Sequence, residues 1–194
     1  MSDLTALRAA ILRYTPQNEQ ETADRAVMLE MLDQPDILTR DNRAAHFTAS
    51  SWIVNPSCDR VLMAWHNIYR SWSWTGGHAD GESDLLSVAV REALEETGLA
   101  SVTPLSNDIF SLETLTVDGH EKRGAYVPSH LHLNVTYLLQ ADDSAPLRVK
   151  RDENSGVRWF APGEALAACS EPWMVQRVYQ KLTDRAAALL RAKG

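Results

Sequence analysis

Apolar positions along the first forty residues recur at helical spacing. Leu4, Leu7, Ile11 and Leu12 form one such set. Thr15-Pro16 predicts an N-cap with proline at the first helical position. The helix that follows carries Ala26, Val27, Leu29, Met31 and Leu32 and ends at Gln34-Pro35. From His46 the pattern turns to strands. Phe47 to Val54 is a strand closed by Asn55-Pro56-Ser57, a turn signal, and Arg60 to His66 returns as its hairpin partner. Ser71 to Gly77 reads as a short strand running into a glycine turn. Ser83 to Thr97 predicts a helix, with Ser83 as N-cap and Gly98 as its C-terminal stop. Strands follow at Phe110 to Val117, Leu131 to Leu139 and Val157 to Phe160, then helices at Pro162 to Ala168 and Trp173 to Ala192. Strands mixed with helices after a helical preface predict an α/β sandwich.

Composition narrows the function more than the fold. The chain has 194 residues, 44% hydrophobic and 23% charged, as expected of a globular protein with its own core. A net charge of −7 argues against a nucleic-acid polymer as partner, which selects for a basic surface. It leaves phosphate chemistry open if metal ions supply the positive charge. Cys58 and Cys169 are far apart and in no ligand spacing, so two free thiols are expected. No run approaches a membrane span, and Met1 to Leu12 lacks a basic segment followed by an apolar one; the expected setting is cytoplasmic.

The helix after the glycines carries the chemistry. Glu92, Glu95 and Glu96 stand at i, i+3 and i+4, within a 100° arc at 100° per residue. Leu86, Val90, Ala93 and Leu94 are the expected core-facing set on roughly the other side. Like charges at this spacing repel, and helix stability alone does not call for them. The two readings are a solvated acidic face and a site for a hard divalent cation. Gly76-Gly77 allow a tight turn that points a carbonyl inward, towards such a cation.

The stretch Gly77 to Leu99, GHADGESDLLSVAVREALEETGL, resembles the Nudix box: G, five residues, E, seven residues, then R-E-U-x-E-E-x-G-U with U aliphatic. Arg91-Glu92-Ala93-Leu94-Glu95-Glu96-Thr97-Gly98-Leu99 fits in register, with Ala93 a small member of the U class; the early Glu is replaced by Ser83, with Glu82 beside it. The resemblance to Nudix hydrolases implies an α/β/α sandwich with a mixed sheet. It divides the chain into a helical N-terminal extension, residues 1–42, and a Nudix domain with a C-terminal helix, residues 43–194. It implies a metal shell of the Gly77 carbonyl with Glu92, Glu95 and Glu96, Mg²⁺ as cofactor with Mn²⁺ as substitute, and a structural role for Arg91. By this reading Glu82 pairs with Arg91 in place of the missing glutamate. The implied activity is cleavage of a diphosphate linkage in a small molecule: a nucleotide, nucleotide sugar, ADP-ribose or similar.

Residues beyond the box are open to two readings each. Glu153, in the polar loop Arg151 to Gly156, is a candidate general base or further metal ligand, or else a solvent-exposed turn residue; Glu92 is the other candidate base. Trp72 and Trp74 flank Ser73, which places both on one strand face, for stacking on a nucleobase or for core packing. His130 and His132 also alternate on one face, beside Tyr126, and His78 follows the glycine pair; all four are candidate substrate contacts. The N-terminal helices have three uses open to them: a homodimer contact, a cover over the pocket, or packing within their own subunit.

Two other functions are weighed. Isopentenyl-diphosphate isomerases share the fold, but their chemistry needs a cysteine in the box loop and a histidine-rich metal site, and Trp74-Thr75-Gly76-Gly77-His78 holds no cysteine. A non-catalytic nucleotide-sensing module is the other, hinted at only by Ser83.

Overall fold

The computed structural model describes residues 4–122 and 124–191. Two helices come first, α1 (Thr5–Arg13) and α2 (Glu19–Met31), followed by strands β1 (Ala45–Val54), β2 (Val61–His66), β3 (Ser71–Ser73) and β4 (Thr75–His78). Helix α3 spans Leu85–Thr97. Strands β5 (Thr103–Pro104), β6 (Ser111–Val117), β7 (His120–Lys122), β8 (Ala125–Val127), β9 (His130–Gln140) and β10 (Asn154–Phe160) follow. The chain continues with α4 (Pro162–Ala168), α5 (Pro172–Met174), a π-helical turn at Val175–Tyr179 and α6 (Gln180–Arg191). The class is α/β. The main sheet has the order β10-β2-β1-β9-β5, with β3 on β2, β4 on β1 and β6 on β9; β7 and β8 pair separately. Ala192, the expected end of the last helix, lies outside the described residues.

The chain divides into two compact units. Unit one comprises Met1–Ala49, Gly77–Val88 and Asp108–Thr136. In it β6 and β9 pair antiparallel from Ser111↔Thr136 to Val117↔His130. Helix α2 packs on β6. Leu7, Ile11, Met28, Leu32, Ile37 and Leu38 are buried, so the N-terminal segment belongs to the core of its own unit. Glu21 is buried with them, accepting the Gln17 N–H (2.7 Å) and the Ser111 hydroxyl (3.0 Å). The cap of α2 is Asn18, whose side chain accepts the Glu21 N–H, and not Thr15 as expected: Asn18 is extended and Pro16 stays outside the helix.

Unit two comprises Ser50–Gly76, Ala89–Asn107 and Tyr137–Gly194. Its β1–β2 hairpin closes at Val54↔Val61, and β2 carries β3 on one side and β10 on the other. Cys58 sits in the hairpin turn with φ 50°, and neither cysteine is in a disulfide.

Helix α3 departs from expectation in three ways. Its cap is Asp84, which accepts the N–H groups of Leu86 and Ser87, and not Ser83. The preceding turn is made at Asp80 and Gly81, with φ 46° and 95°, while Gly76 and Gly77 lie within strand β4. The buried stripe is Leu85, Val88, Ala89 and Ala93, whereas Leu86, Val90 and Leu94 are half-buried. That rotation matters, because Glu92 is four residues after Val88 and Glu96 is three after Ala93. Both carboxylates continue the buried stripe rather than opposing it. The helix stops at Gly98, φ 69°, as expected; a Cβ there would stand 2.6 Å from that of Arg148.

Candidate functional site

In unit two, carboxylate oxygens of Glu92, Glu96 and Glu153 lie within 4.8 Å of one another. Helix α3 supplies the first two, and the loop entering β10 supplies Glu153. Glu96 is 5% exposed. The Gly76 N–H donates to its Oε1 (2.8 Å), and Asn154 Nδ2 donates to its backbone carbonyl (2.9 Å). Asn154 in turn accepts the Lys150 N–H on Oδ1, so one side chain ties the end of the helix to the loop bearing Glu153.

The charges are unbalanced inside this group. Burial pushes the Glu96 carboxyl up to about 8; the Gly76 N–H works against this, and the charges of Glu153 and Glu92 add to it. Glu92 is raised too, by burial first and then by Glu95. Among the described residues the ammonium in the group is Lys150, at 2.9 Å from Glu95 and 3.1 Å from Glu153. Burial alone would lower its pKa, but hydrogen bonds to these two carboxylates hold it above the ordinary lysine range. Glu95 is therefore an ion-pair partner on the rim, outside the close group of three. Clustered oxygen donors with a buried, charge-averse member fit a hard divalent cation, which would make ionisation of Glu96 favourable.

This sets a pH dependence. Glu96 has a folded pKa above its unfolded value near 4.5, so the folded protein keeps a proton that the unfolded chain loses. Stability then falls as pH rises across that window. Between pH 7 and 8.5, above the range where ordinary histidines titrate, the Tm of EDTA-treated protein is expected to drop. Mg²⁺ should recover more of it at pH 8.5 than at pH 7. A metal-free Tm that is flat or rising would contradict the assignment.

Arg91 and Glu82 do not make the expected pair. Glu82 folds over its own loop, where Oε1 accepts the Asp84 N–H (2.9 Å). Arg91 reaches Glu92 at 3.3 Å instead. That bond holds the Glu82 carboxylate at the start of the helix, about two turns before Arg91.

The two tryptophans go to separate places. The ring of Trp72 packs edge-on against Trp65 (5.7 Å) and Phe160 (4.9 Å), and the Arg158 guanidinium lies 4.0 Å from the centre of the Phe160 ring. Trp74 follows the end of β3 and meets Tyr179, which stacks on buried Trp52. A shared strand face does not hold for them, because the strand ends between the two.

Unit one holds a group of histidines. His46, on β1, lies with His130 and His132 on β9 so that one ring nitrogen of each is within 4.8 Å of the others. The His78 ring centre is 5.1 Å from that of His46 and 4.9 Å from that of His132. Burial, with the nearby imidazoles adding to it, lowers the His132 pKa to about 2. His46 is lowered by burial as well. Tyr126, by contrast, is 68% exposed on β8.

Sequence reasoning missed Gly76 as a donor, Lys150, Asn154 and His46. Lys150 carried a signal, standing three residues before Glu153 in a polar loop. His46 carried none, since only the fold brings β1 beside the pair on β9.

A model of the NUDIX domain matches residues 45–182. Among solved structures, the chain is similar to a C. elegans Ap4A hydrolase in a binary complex (18% identity, TM-score 0.54, covering 75% of this chain and 98% of that one). It is also similar to the E. coli dihydroneopterin triphosphate pyrophosphohydrolase (14%, 0.52, 71% and 95%). A third is a Nudix hydrolase from M. smegmatis (18%, 0.52, 74% and 87%). At these identities the likeness is one of fold. A comparison with curated proteins returns no match. Among the described residues no helix is long and apolar enough to cross a membrane.

Proposed function

The chain belongs to the NUDIX family of hydrolases acting on acid anhydrides, and from that premise we propose that it cleaves a diphosphate linkage in a small nucleotide-like molecule, with Mg²⁺ held by Glu92, Glu96 and Glu153. The observation that carries this reading is the close group of three carboxylates with its buried, proton-holding member. A divalent cation there would neutralise diphosphate oxygens and polarise the attacked phosphorus and its water. The protein's part is positioning. Gly76 fixes the direction of Glu96, and Asn154 fixes the loop that presents Glu153. Glu153, partly exposed and tethered by Lys150, is suited to take a proton from water; Glu92, more enclosed, is the second candidate. The reading includes Mn²⁺ as a substitute ion, the Gly77 carbonyl as a further ligand, a cytoplasmic setting and a NUDIX domain starting near residue 43.

The test is release of phosphorylated products from a panel with Mg²⁺ and Mn²⁺: nucleoside triphosphates, nucleotide sugars, ADP-ribose and dinucleoside polyphosphates, with an isoprenyl diphosphate as the isomerase arm, read as a shift of its double bond without loss of phosphate. The isomerase reading lacks a cysteine in the box loop, Trp74 to His78; Cys58 stands in the β1–β2 turn and Cys169 beside Ser71. Metal-dependent release from one member supports the proposal, and silence across the panel favours a sensing module. Glu153→Gln is expected to lower kcat more than it raises KM, as for a group used in the transition state. Unchanged kcat would move the base to Glu92. Trp72 and Trp74 share a unit with the carboxylates and are the first positions to vary for base selectivity.

A further inference from the structure

We propose that His46, His130 and His132 form a second metal site, separate in its ligands from the carboxylates and selective for a zinc-class transition ion. Three features of unit one carry this. The first is ligand geometry. His130 Nε2 and His132 Nε2 stand 3.2 Å apart. Two nitrogens bound to zinc at about 2.0–2.1 Å and a tetrahedral angle would stand roughly 3.3–3.4 Å apart. The separation is close to that edge; with His130 Nδ1 donating to the Pro128 carbonyl, the contact as it stands is a hydrogen bond from His132 Nε2–H to His130 Nε2, and a bound ion would take its place.

The second feature is the tautomer. His46 Nδ1 lies 3.1 Å from the Asn42 carbonyl, and His130 Nδ1 lies 2.9 Å from the Pro128 carbonyl. A carbonyl only accepts, so each Nδ1 carries the proton and each Nε2 presents a lone pair. Metal-bound histidines are held in this way, the far nitrogen donating to a backbone carbonyl or carboxylate. The third feature is an orphan. His46 is 4% exposed, and its Nε2 is buried with no hydrogen-bond partner. A buried polar atom left without a partner is costly, and an ion at the centre of the group would satisfy it.

Donor chemistry sets the ion. Three neutral imidazoles suit Zn²⁺, Co²⁺, Ni²⁺ or Cu²⁺, whereas Mg²⁺ prefers the oxygens of the other group. Three ligands leave a fourth tetrahedral position, with the His78 ring nearby. The site stands on these atoms whichever reaction the carboxylates serve.

The test uses the untagged full chain, stripped with EDTA and titrated with Co²⁺ in excess Mg²⁺. X-ray absorption is then measured at the zinc edge on Zn²⁺-loaded protein. One Co²⁺ per chain is expected, with visible absorption bands of nitrogen coordination. His130→Ala and His132→Ala should each weaken binding by at least about tenfold, and Glu96→Gln should leave it unchanged. The zinc spectrum should show imidazole scattering. No uptake in the presence of Mg²⁺, an oxygen-only shell, or unchanged affinity in both histidine variants would overturn the proposal. If a variant fails to fold, the zinc spectrum of the unaltered chain decides: imidazole shells support the site, and their absence removes it.

Discussion

Glu96→Gln is expected to lower hydrolysis by roughly 10²- to 10³-fold, the cost typical of losing one charge-stabilising group at a reacting centre, while the protein stays folded. The amide keeps the shape of the side chain, and its oxygen can still accept the Gly76 N–H. What disappears is a buried charge that the metal-free protein holds with difficulty. The same variant should therefore unfold at a higher temperature than the unaltered protein when both are stripped of metal at pH 8.5. Glu95→Gln serves as the contrast. Its carboxylate is 46% exposed and paired with Lys150, and an exposed pair contributes little to stability. Activity of Glu96→Gln within a few-fold of the unaltered enzyme would remove Glu96 from the metal set.

Deleting the chain before Asn42 is expected to abolish folding rather than trim an appendage. Helix α2 lies on β6, and Ile11 and Met28 are fully enclosed. Without Glu21 the link from the start of α2 to Ser111 on β6 is lost. Met28→Ala gives a graded version, with an expected loss of about 2–5 kcal/mol in denaturant unfolding. A truncated chain that still unfolds cooperatively and hydrolyses substrate would show that the two helices are dispensable. In that case their apolar stripe would be free for a second subunit, the role considered for it from the sequence.

Much of the fold was legible because its signals are local. Gly98 as a stop, the turn at Asn55-Pro56-Ser57, and the α4 start at Pro162 each follow from one or two residues. The box helix was legible too, but its orientation was not. Apolar periodicity placed Leu86, Val90, Ala93 and Leu94 inward; Ala93 is buried, but its companions are Leu85, Val88 and the small residue Ala89 rather than the three larger ones. Small residues weigh little in a hydrophobic pattern, yet they permit close approach, and so the pattern was misread by a fraction of a turn. The same shift explains why Glu96 is buried. Gly76-Gly77 misled in the opposite direction: glycine permits a turn but does not require one, and here both extend in β4. Glu92, Glu96 and Glu153 were each readable as candidates; His78, His130 and His132 were too, as substrate contacts, but not His46 or the group they form with it. His46 is more than eighty positions from His130, and only strand order joins them.

The π-helical turn at Val175–Tyr179 has a consequence for how this chain tolerates change in length. A π turn holds one residue more than the α-helical path around it, so the segments before and after it are out of phase by one position. Tyr179, at its end, and Leu182 and Ala186 beyond it are buried in one stripe. Losing one residue from the turn would close it to an ordinary α turn and leave that stripe facing the core. The same loss within Gln180–Arg191, where no surplus residue exists, would rotate everything beyond the gap by about 100° and turn Ala186 towards water. The turn is thus slack held in the line, and a one-residue gap is tolerated there and nowhere farther along the helix.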